Sequence, residues 1–292
     1  MRFSDKNIVF IISAGRTGTK YFGSLLSNII KDCFSVHEPD IFSGFNKKLL
    51  EQIKYFGLYN MVIGRALRKA GIRNLSENYL AGKLTRKELK HRIKKHRDYY
   101  YSTIAQDLII ESYYGWYGCI PAIKEIFPNY KIIAISRDPK EWIRSNMNWE
   151  QWYGKRDFAS KLKFGRLNPK LIGDQEYQNK WDEFSRFEKL CWAYRTIYTR
   201  ILMDLKDEPN SKVFKFEDLF YHQNRYDNLD RLINFAVDFN GKKFNYTVPS
   251  GVLEKKVHEN TSTSFPSYEY WDSNLKEQFW AICKEIRHEL GY

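Results

Sequence analysis

The chain has 292 residues, 43% of them hydrophobic and 17% aromatic, and its 48 Lys and Arg against 35 Asp and Glu leave a net charge of +13. It can bury a sizeable core, and no low-complexity tract, repeat or Pro/Gly/Ser-rich linker divides it, so a single domain over 1–292 is expected. Cys33, Cys119, Cys191 and Cys283 stand far apart with no C-x-x-C pair, which argues against a zinc site or a disulfide framework and predicts buried thiols.

The N-terminal apolar run is far shorter than the roughly 20 residues of a membrane span, so no leader or anchor is expected and the chain reads as a soluble cytoplasmic protein. The basic balance fits nucleic acid, an acidic membrane surface or an anionic substrate, and no nucleic-acid motif accompanies it. Ile8 to Ile12 is β-branched and apolar, predicting a buried parallel strand over 7–13. Gly15 and Gly18 then let the chain turn tightly. From Lys20 the positions Tyr21, Phe22, Leu25, Leu26, Ile29 and Ile30 recur at helical spacing. A strand, a tight turn and a helix N-terminus make an anion site, because free N–H groups and the positive end of the helix dipole favour phosphate or sulfate. Arg16 and Lys20 add two cations. The loop departs from G-x-x-x-x-G-K-[ST], since its glycines are closer and Tyr21 stands where a hydroxyl would hold Mg²⁺. Transfer of an anionic group without a metal is therefore favoured, and no metal ligands are assigned.

A second strand is expected over 33–37, ending in His37, Glu38, Pro39 and Asp40. A parallel sheet places this end beside the loop after the first strand and brings Glu38 near Arg16 and Lys20. Glu38 is the candidate general base and His37 its competitor, since imidazole titrates nearer neutrality. Neighbouring strand positions face opposite sides, so the two are not expected to serve equally. The plainer role for Glu38 is an ion pair with Arg16.

Residues 42–105 read as a mostly helical insertion, a candidate wall or lid over the strand ends. Its basic run from Arg65 to Arg97 reads first as a solvated helix face and second as a rim that attracts an anion. Further strands are expected over 107–112, 131–136 and 211–216. Glu111 and Ser112 either reach an acceptor or satisfy the strand terminus. Arg137 and Ser145 stand eight residues apart, with Pro139 placed to begin a helix. The arginine fork and the serine hydroxyl then converge on one phosphate. Residues 147–180 read as an irregular second wall. The alternation predicts an α/β fold, a P-loop-type parallel sheet flanked by helices with helical insertions over the C-terminal ends of the strands.

Together these motifs resemble the sulfotransferases that use 3′-phosphoadenosine 5′-phosphosulfate (PAPS), and their carbohydrate and bacterial branch more than the cytosolic small-molecule branch. Gly15 to Tyr21 is similar to the 5′-phosphosulfate loop, Arg137 with Ser145 to the 3′-phosphate motif, and Val213 to Leu219 to a later strand and Glu-Asp-Leu turn. Trp271 to Tyr292 resembles the closing helix. The resemblance implies PAPS as co-substrate, 3′-phosphoadenosine 5′-phosphate (PAP) as product, and no metal. It implies that Arg16 is the catalytic cation, that Gly15, Arg16, Thr17, Gly18, Thr19, Lys20 and Tyr21 surround the 5′ end, and that Arg137 and Ser145 take the 3′-phosphate. Glu38, 22 residues beyond Arg16, stands where tyrosylprotein and several carbohydrate or bacterial members carry a catalytic glutamate.

Family members commonly have Ser or Thr at the place of Lys20, and the base histidine of the cytosolic branch has no counterpart here. Lys255, Lys256 and Asn260 to Ser264 lie where the family closes a loop over the 3′-phosphate. Trp142, Trp149, Trp152, Tyr153, Trp192 and Tyr194 are expected mostly in the core, with stacking on adenine or a sugar as the alternative. The acceptor expected bears a hydroxyl or an amine, is either anionic or a carbohydrate, and is a carbohydrate or glycolipid-like hydroxyl in preference to a phenol. The competing expectations are a Mg²⁺-dependent P-loop small-molecule kinase and a non-catalytic nucleotide- or polyanion-binding module.

Overall fold

Strand β1 (Asn7–Ile12) is buried at every position, with Ile8, Phe10 and Ile12 in one core cluster and Val9 and Ile11 in another, so it is covered on both faces. The computed structural model describes residues 5–42, 44–157, 166–254 and 264–292. Four further strands, β2 (Cys33–His37), β3 (Leu108–Ser112), β4 (Tyr130–Ser136) and β5 (Ser211–Lys215), join β1 in one sheet of order β2-β3-β1-β4-β5. Every pairing is parallel. The strands fall within a residue of their predicted bounds. Phe216, expected in the last strand, instead begins a helix.

The α-helices of five or more residues among the described residues, in chain order, are α1 (Thr19–Ile29), α2 (Lys47–Phe56), α3 (Ile72–Leu80), α4 (Arg86–Ser102), α5 (Ile120–Ile126), α6 (Pro139–Trp149), α7 (Arg186–Leu205), α8 (Phe216–Phe220), α9 (Arg225–Val237) and α10 (Ser273–Glu289). α1 and α9 bury Phe22, Leu26, Leu232 and Ile233 on the Val9 and Ile11 face, while α4, α5, α7 and α10 bury Ile93, Ile123, Ile197 and Phe279 on the other. The parallel sheet with helices on both faces is the α/β architecture expected from the alternation. All four cysteines are buried thiols.

The strand order corrects one expectation. The end of β2 does not lie directly beside the loop after β1, because the chain leaves β2 through α2, α3 and α4 and re-enters the sheet as β3 between them. Ser112 is therefore in register with Ile11 on one side and His37 on the other. The order reverses about β1, and its C-terminal end and that of β4 flank the crevice where ligands of such sheets bind.

α1 packs closely on β2 through Gly23, where a Cβ would lie 2.6 Å from His37 Cβ and 2.8 Å from its backbone nitrogen. Gly23→Ala must push α1 off β2. It is expected to lower stability by about 1–3 kcal/mol, read as a lower urea midpoint at unchanged slope.

Candidate active site

Ser13 Oγ accepts from the Gly15 amide at 2.9 Å and folds the β1–α1 loop back on itself. Arg16 sits in the left-handed region at φ 58°, which costs a non-glycine residue about 1–3 kcal/mol. Gly18 has φ 75°, and a Cβ there would meet the Phe220 ring at 3.0 Å, so glycine alone makes this entry into α1. The first-turn amides of Thr19, Lys20 and Tyr21 precede the first α-helical bond, from the Phe22 amide to the Gly18 carbonyl.

Arg16, Arg137 and Ser145 come together. Arg16 Nε donates to Ser145 Oγ at 3.1 Å, Arg137 Nη1 donates to the Arg16 carbonyl at 2.9 Å, and Arg16 also stacks 5.0 Å from the Trp149 ring. Asp138 caps α6 through the Lys140 amide at 2.9 Å with Pro139 at the first helical position, which brings Ser145 round to the loop. Neither guanidinium pairs with a carboxylate among the described residues. Burial first, and then the charge of Arg137, lower the pKa of Arg16. Thr17 Oγ1, in a fully buried residue, and Arg137 Nε have no hydrogen-bond partner among the described residues. Two adjacent cations, two orphaned donors and a helix N-terminus fit a phosphate or sulfate group.

The Tyr21 side chain turns away from this loop into the core and donates to the Val252 carbonyl at 2.9 Å, so only its backbone amide belongs to the anion site. Lys20 is exposed, and its charge acts on His37. Of the expected C-terminal loop, Lys255, Lys256 and residues 260–263 lie outside the described residues. Ser264 is described, and Asn148 Oδ1 accepts from its amide at 3.1 Å.

At the end of β2, beyond β3 in the sheet, Glu38 leaves the strand with φ 47°. That turn removes the alternation expected of a strand. The Glu38 and His37 side chains approach on one side, Oε2 to Nε2 3.7 Å, instead of facing apart. The Ser112 carbonyl accepts from the Glu38 amide at 3.1 Å and from His37 Nδ1 at 3.0 Å, while Ser112 Oγ donates to the Thr19 carbonyl at 2.7 Å. Ser112 thus joins the end of β2 to the start of α1. A carbonyl only accepts, so Nδ1 carries the proton and Nε2 faces Glu38 bare.

Their titrations are reversed from the ordinary order. Burial, with Lys20 and Lys48 adding to it, lowers His37 to about 4. Burial, followed by the charge of Asp40, raises Glu38 to about 7, against the opposing Arg73, Lys48 and Arg65. Arg73 Nη1 lies 3.3 Å from Tyr114 Oη, and a Cβ on Gly15 would lie 3.9 Å from the Tyr114 ring. The environment of Glu38 is therefore continuous with the β1–α1 loop.

Below Glu38 the insertion is held by buried charge. Asp40 accepts from Arg97 Nη2 at 3.1 Å, from His96 Nε2 at 2.8 Å and from the Ile72 amide at 3.2 Å. Arg97 also reaches Glu111 with Nε at 2.9 Å and Nη2 at 2.7 Å, and Tyr101 and Trp116 donate to the same carboxylate at 2.6 and 2.8 Å. Against the upward push of burial, Arg97, His96 and Arg65 hold Asp40 well below the usual carboxylate range. Glu111 is therefore a satisfied core carboxylate that does not reach an acceptor. The basic run is likewise not wholly solvated, because its last two members, His96 and Arg97, are buried.

Several residues that shape the site carry no sequence signal of it. Trp142 Nε1 donates to the Gly15 carbonyl at 2.8 Å, Tyr194 Oη donates to the Arg137 carbonyl, and Tyr198 Oη donates to the Ile135 carbonyl at 2.8 Å. These three are core residues, as are Trp152 and Trp192, and the first three use a polar tip to brace the two loops. Only the spacing of Tyr194 and Tyr198, one turn apart on α7, hints at a shared face.

No protein-family profile matches the sequence, and no curated protein matches it. Among solved structures, the chain is similar to the sulfotransferase domain from the curacin biosynthetic pathway, at 16% identity over 98% of this chain and 96% of that one with a TM-score of 0.46. It is also similar to the sulfotransferase domain of the Synechococcus PCC 7002 olefin synthase, at 15% identity over 97% and 88% with a TM-score of 0.41. Sulfotransferase STF9 from Mycobacterium avium aligns at 15% identity over 80% and 64% with a TM-score of 0.49.

A carboxyl raised to about 7 keeps its proton in the folded protein after the unfolded chain has lost it, so Glu38 subtracts stability as pH rises from about 4.5 to 7. Urea unfolding of Glu38→Gln against the parent is expected to show the variant gaining on the order of 3 kcal/mol in relative stability between about pH 4 and pH 8.

Proposed function

We propose that the protein is a PAPS-dependent sulfotransferase acting on an acceptor hydroxyl. The observation that carries this reading is the meeting of Arg16 and Arg137 from two strand ends, the Arg137 guanidinium on the Arg16 carbonyl, with no carboxylate partner for either guanidinium among the described residues. Such a pair is stable beside an anion, and a 3′,5′-bisphosphorylated nucleotide presents one phosphate to each βα junction. In this reading the first-turn amides of α1, Thr17 and Arg16 hold the 5′-phosphosulfate, and Arg137 with Ser145 holds the 3′-phosphate.

Glu38 takes the proton of the acceptor hydroxyl as its oxygen attacks sulfur in line. The bond from sulfur to the 5′-phosphate oxygen breaks, and its electron pair stays on that oxygen, where the Arg16 guanidinium balances the charge. The products are the sulfate ester and PAP, and the proton on Glu38 passes to solvent. A carboxylate near 7 is matched to this task, whereas His37 near 4 is a weak base and serves to orient the turn through Ser112.

Calorimetry in metal-free buffer is expected to show PAP binding without Mg²⁺; binding of ATP only with Mg²⁺, and none of PAP, overturns the reading in favour of a kinase. Arg137→Ala is expected to weaken PAP by about 1.5–3 kcal/mol, on the order of ten- to a hundredfold, and adenosine 5′-phosphate much less. Equal losses for both nucleotides remove Arg137 from the 3′-phosphate.

With PAPS and a responsive acceptor, turnover is expected to rise through about pH 7 and level above it. Glu38→Gln is expected to lose about 10²–10⁴-fold in turnover while still binding PAP. Full turnover in this variant assigns the base elsewhere.

A further inference from the structure

Among the described residues, eight of the thirteen exposed large hydrophobic side chains fall between Phe42 and Leu67. They lie on the outer side of the insertion. Leu50, Lys54 and Leu58 follow one another at one-turn spacing along α2 and its C-terminal end, and all three are exposed. A π-helical turn, Tyr59–Ile63, continues into Gly64–Ala66, and here Tyr59, Ile63 and Leu67 are exposed at the same spacing while Met61 and Gly64 are buried. The segment is therefore apolar on both sides. A helix of that kind is ordinarily covered, and an apolar patch rimmed by charge marks a contact surface.

The charge says what covers it. Between residues 42 and 69 there are six Lys and Arg and one carboxylate, Glu51. Lys47, Lys54 and Lys69 are exposed beside the apolar positions. A second copy of this chain seated on the same face brings like cations together, because a twofold contact pairs a patch with itself. An anionic bilayer accepts both features, apolar side chains at the boundary of headgroups and acyl chains and lysines against lipid phosphates. No helix of the described residues is long and apolar enough to cross a membrane, so this contact lies on the surface. The face also borders the site. The charge of Lys48 acts on both His37 and Glu38, and Arg65 donates to Asp40.

We propose that Phe45, Leu50, Leu58, Tyr59, Ile63 and Leu67 dock the protein on an anionic lipid surface. The docked insertion opens the Glu38 side of the crevice toward the interface, so the acceptor is an alcohol lodged among lipids, a conclusion that also rests on the sulfotransferase reading. Cosedimentation with vesicles of phosphatidylcholine and phosphatidylglycerol tests the docking. The full chain is expected to bind these, to bind pure phosphatidylcholine at least tenfold more weakly, and to be released as salt rises to about 0.5 M.

Ile63→Asp with Leu67→Asp, and separately Lys47→Glu with Lys54→Glu, are each expected to cut the binding at least tenfold with PAP affinity unchanged. No binding to anionic vesicles, or unaltered binding by both variants, overturns the proposal. So does self-association of the parent in solution that Ile63→Asp and Leu67→Asp abolish. Calorimetry with PAP on the same samples separates the two readings. Vesicle binding without PAP binding leaves the docking and removes the sulfotransferase, and the reverse result does the opposite.

Discussion

The buried guanidinium of Arg97 is the contact on which the rest of the crevice depends. It lies between Asp40, just past the end of β2, and Glu111, next to the end of β3, and so fixes α4 to two strands at once. Charges removed from water are costly unless paired, and here Tyr101, Trp116, His96 and the Ile72 amide add bonds to the two carboxylates, while Arg97 Nη1 and His96 Nδ1 have no partner among the described residues. Such a network adds little net stability compared with an apolar core. Its directional bonds tie Asp40 to α4 and, through Arg97, to β3, and so hold the chain two residues beyond Glu38.

From that anchor the two sides of the crevice acquire opposite characters. On the β1–α1 side, Arg16 and Arg137 are placed together with no carboxylate partner among the described residues, which favours an anion. On the β2 side, Glu38 is buried near Asp40, and this raises its proton affinity against the charges of Arg73, Lys48 and Arg65. Arg16 and Glu38 both occupy the left-handed backbone region. Strain of this kind persists only where surrounding contacts over-determine it, and here those contacts are the Gly15 and Arg16 carbonyls held by Trp142 and Arg137 and the Glu38 amide held by Ser112. Ser112 couples the two sides directly, since its carbonyl serves His37 and Glu38 and its hydroxyl serves Thr19.

The strands were legible because buried parallel strands need unbroken β-branched runs, and those around Ile8 to Ile12 and Ile132 to Ile135 have few other readings. The anion loop was legible because tight turns demand glycine and phosphates demand cations at short spacing, as at Gly15, Arg16 and Gly18. Pro139 marked the start of α6 for a similarly local reason, and the cap by Asp138 showed only in the structure. Glu111 was ambiguous, because a carboxylate at a strand end looks the same whether it meets solvent or the guanidinium of Arg97. The bracing by Trp142, Tyr194 and Tyr198 was invisible, since an aromatic ring in a helix carries no mark of what its polar tip will meet.

What the sequence by itself determined is what depends on neighbours in the chain: the strand and helix periods, the turn at Gly15 to Gly18, the proline that begins α6 and the excess of cations. What only the tertiary structure decided is what depends on distant segments meeting: that β3 separates β2 from β1, that Glu38 and His37 share a side, that their proton affinities are reversed, and that the Lys-rich face of the insertion is left apolar and uncovered. Local order follows from steric and hydrogen-bonding rules acting over a few residues. Desolvation and charge proximity depend on three-dimensional distance, which has no value until the chain has folded.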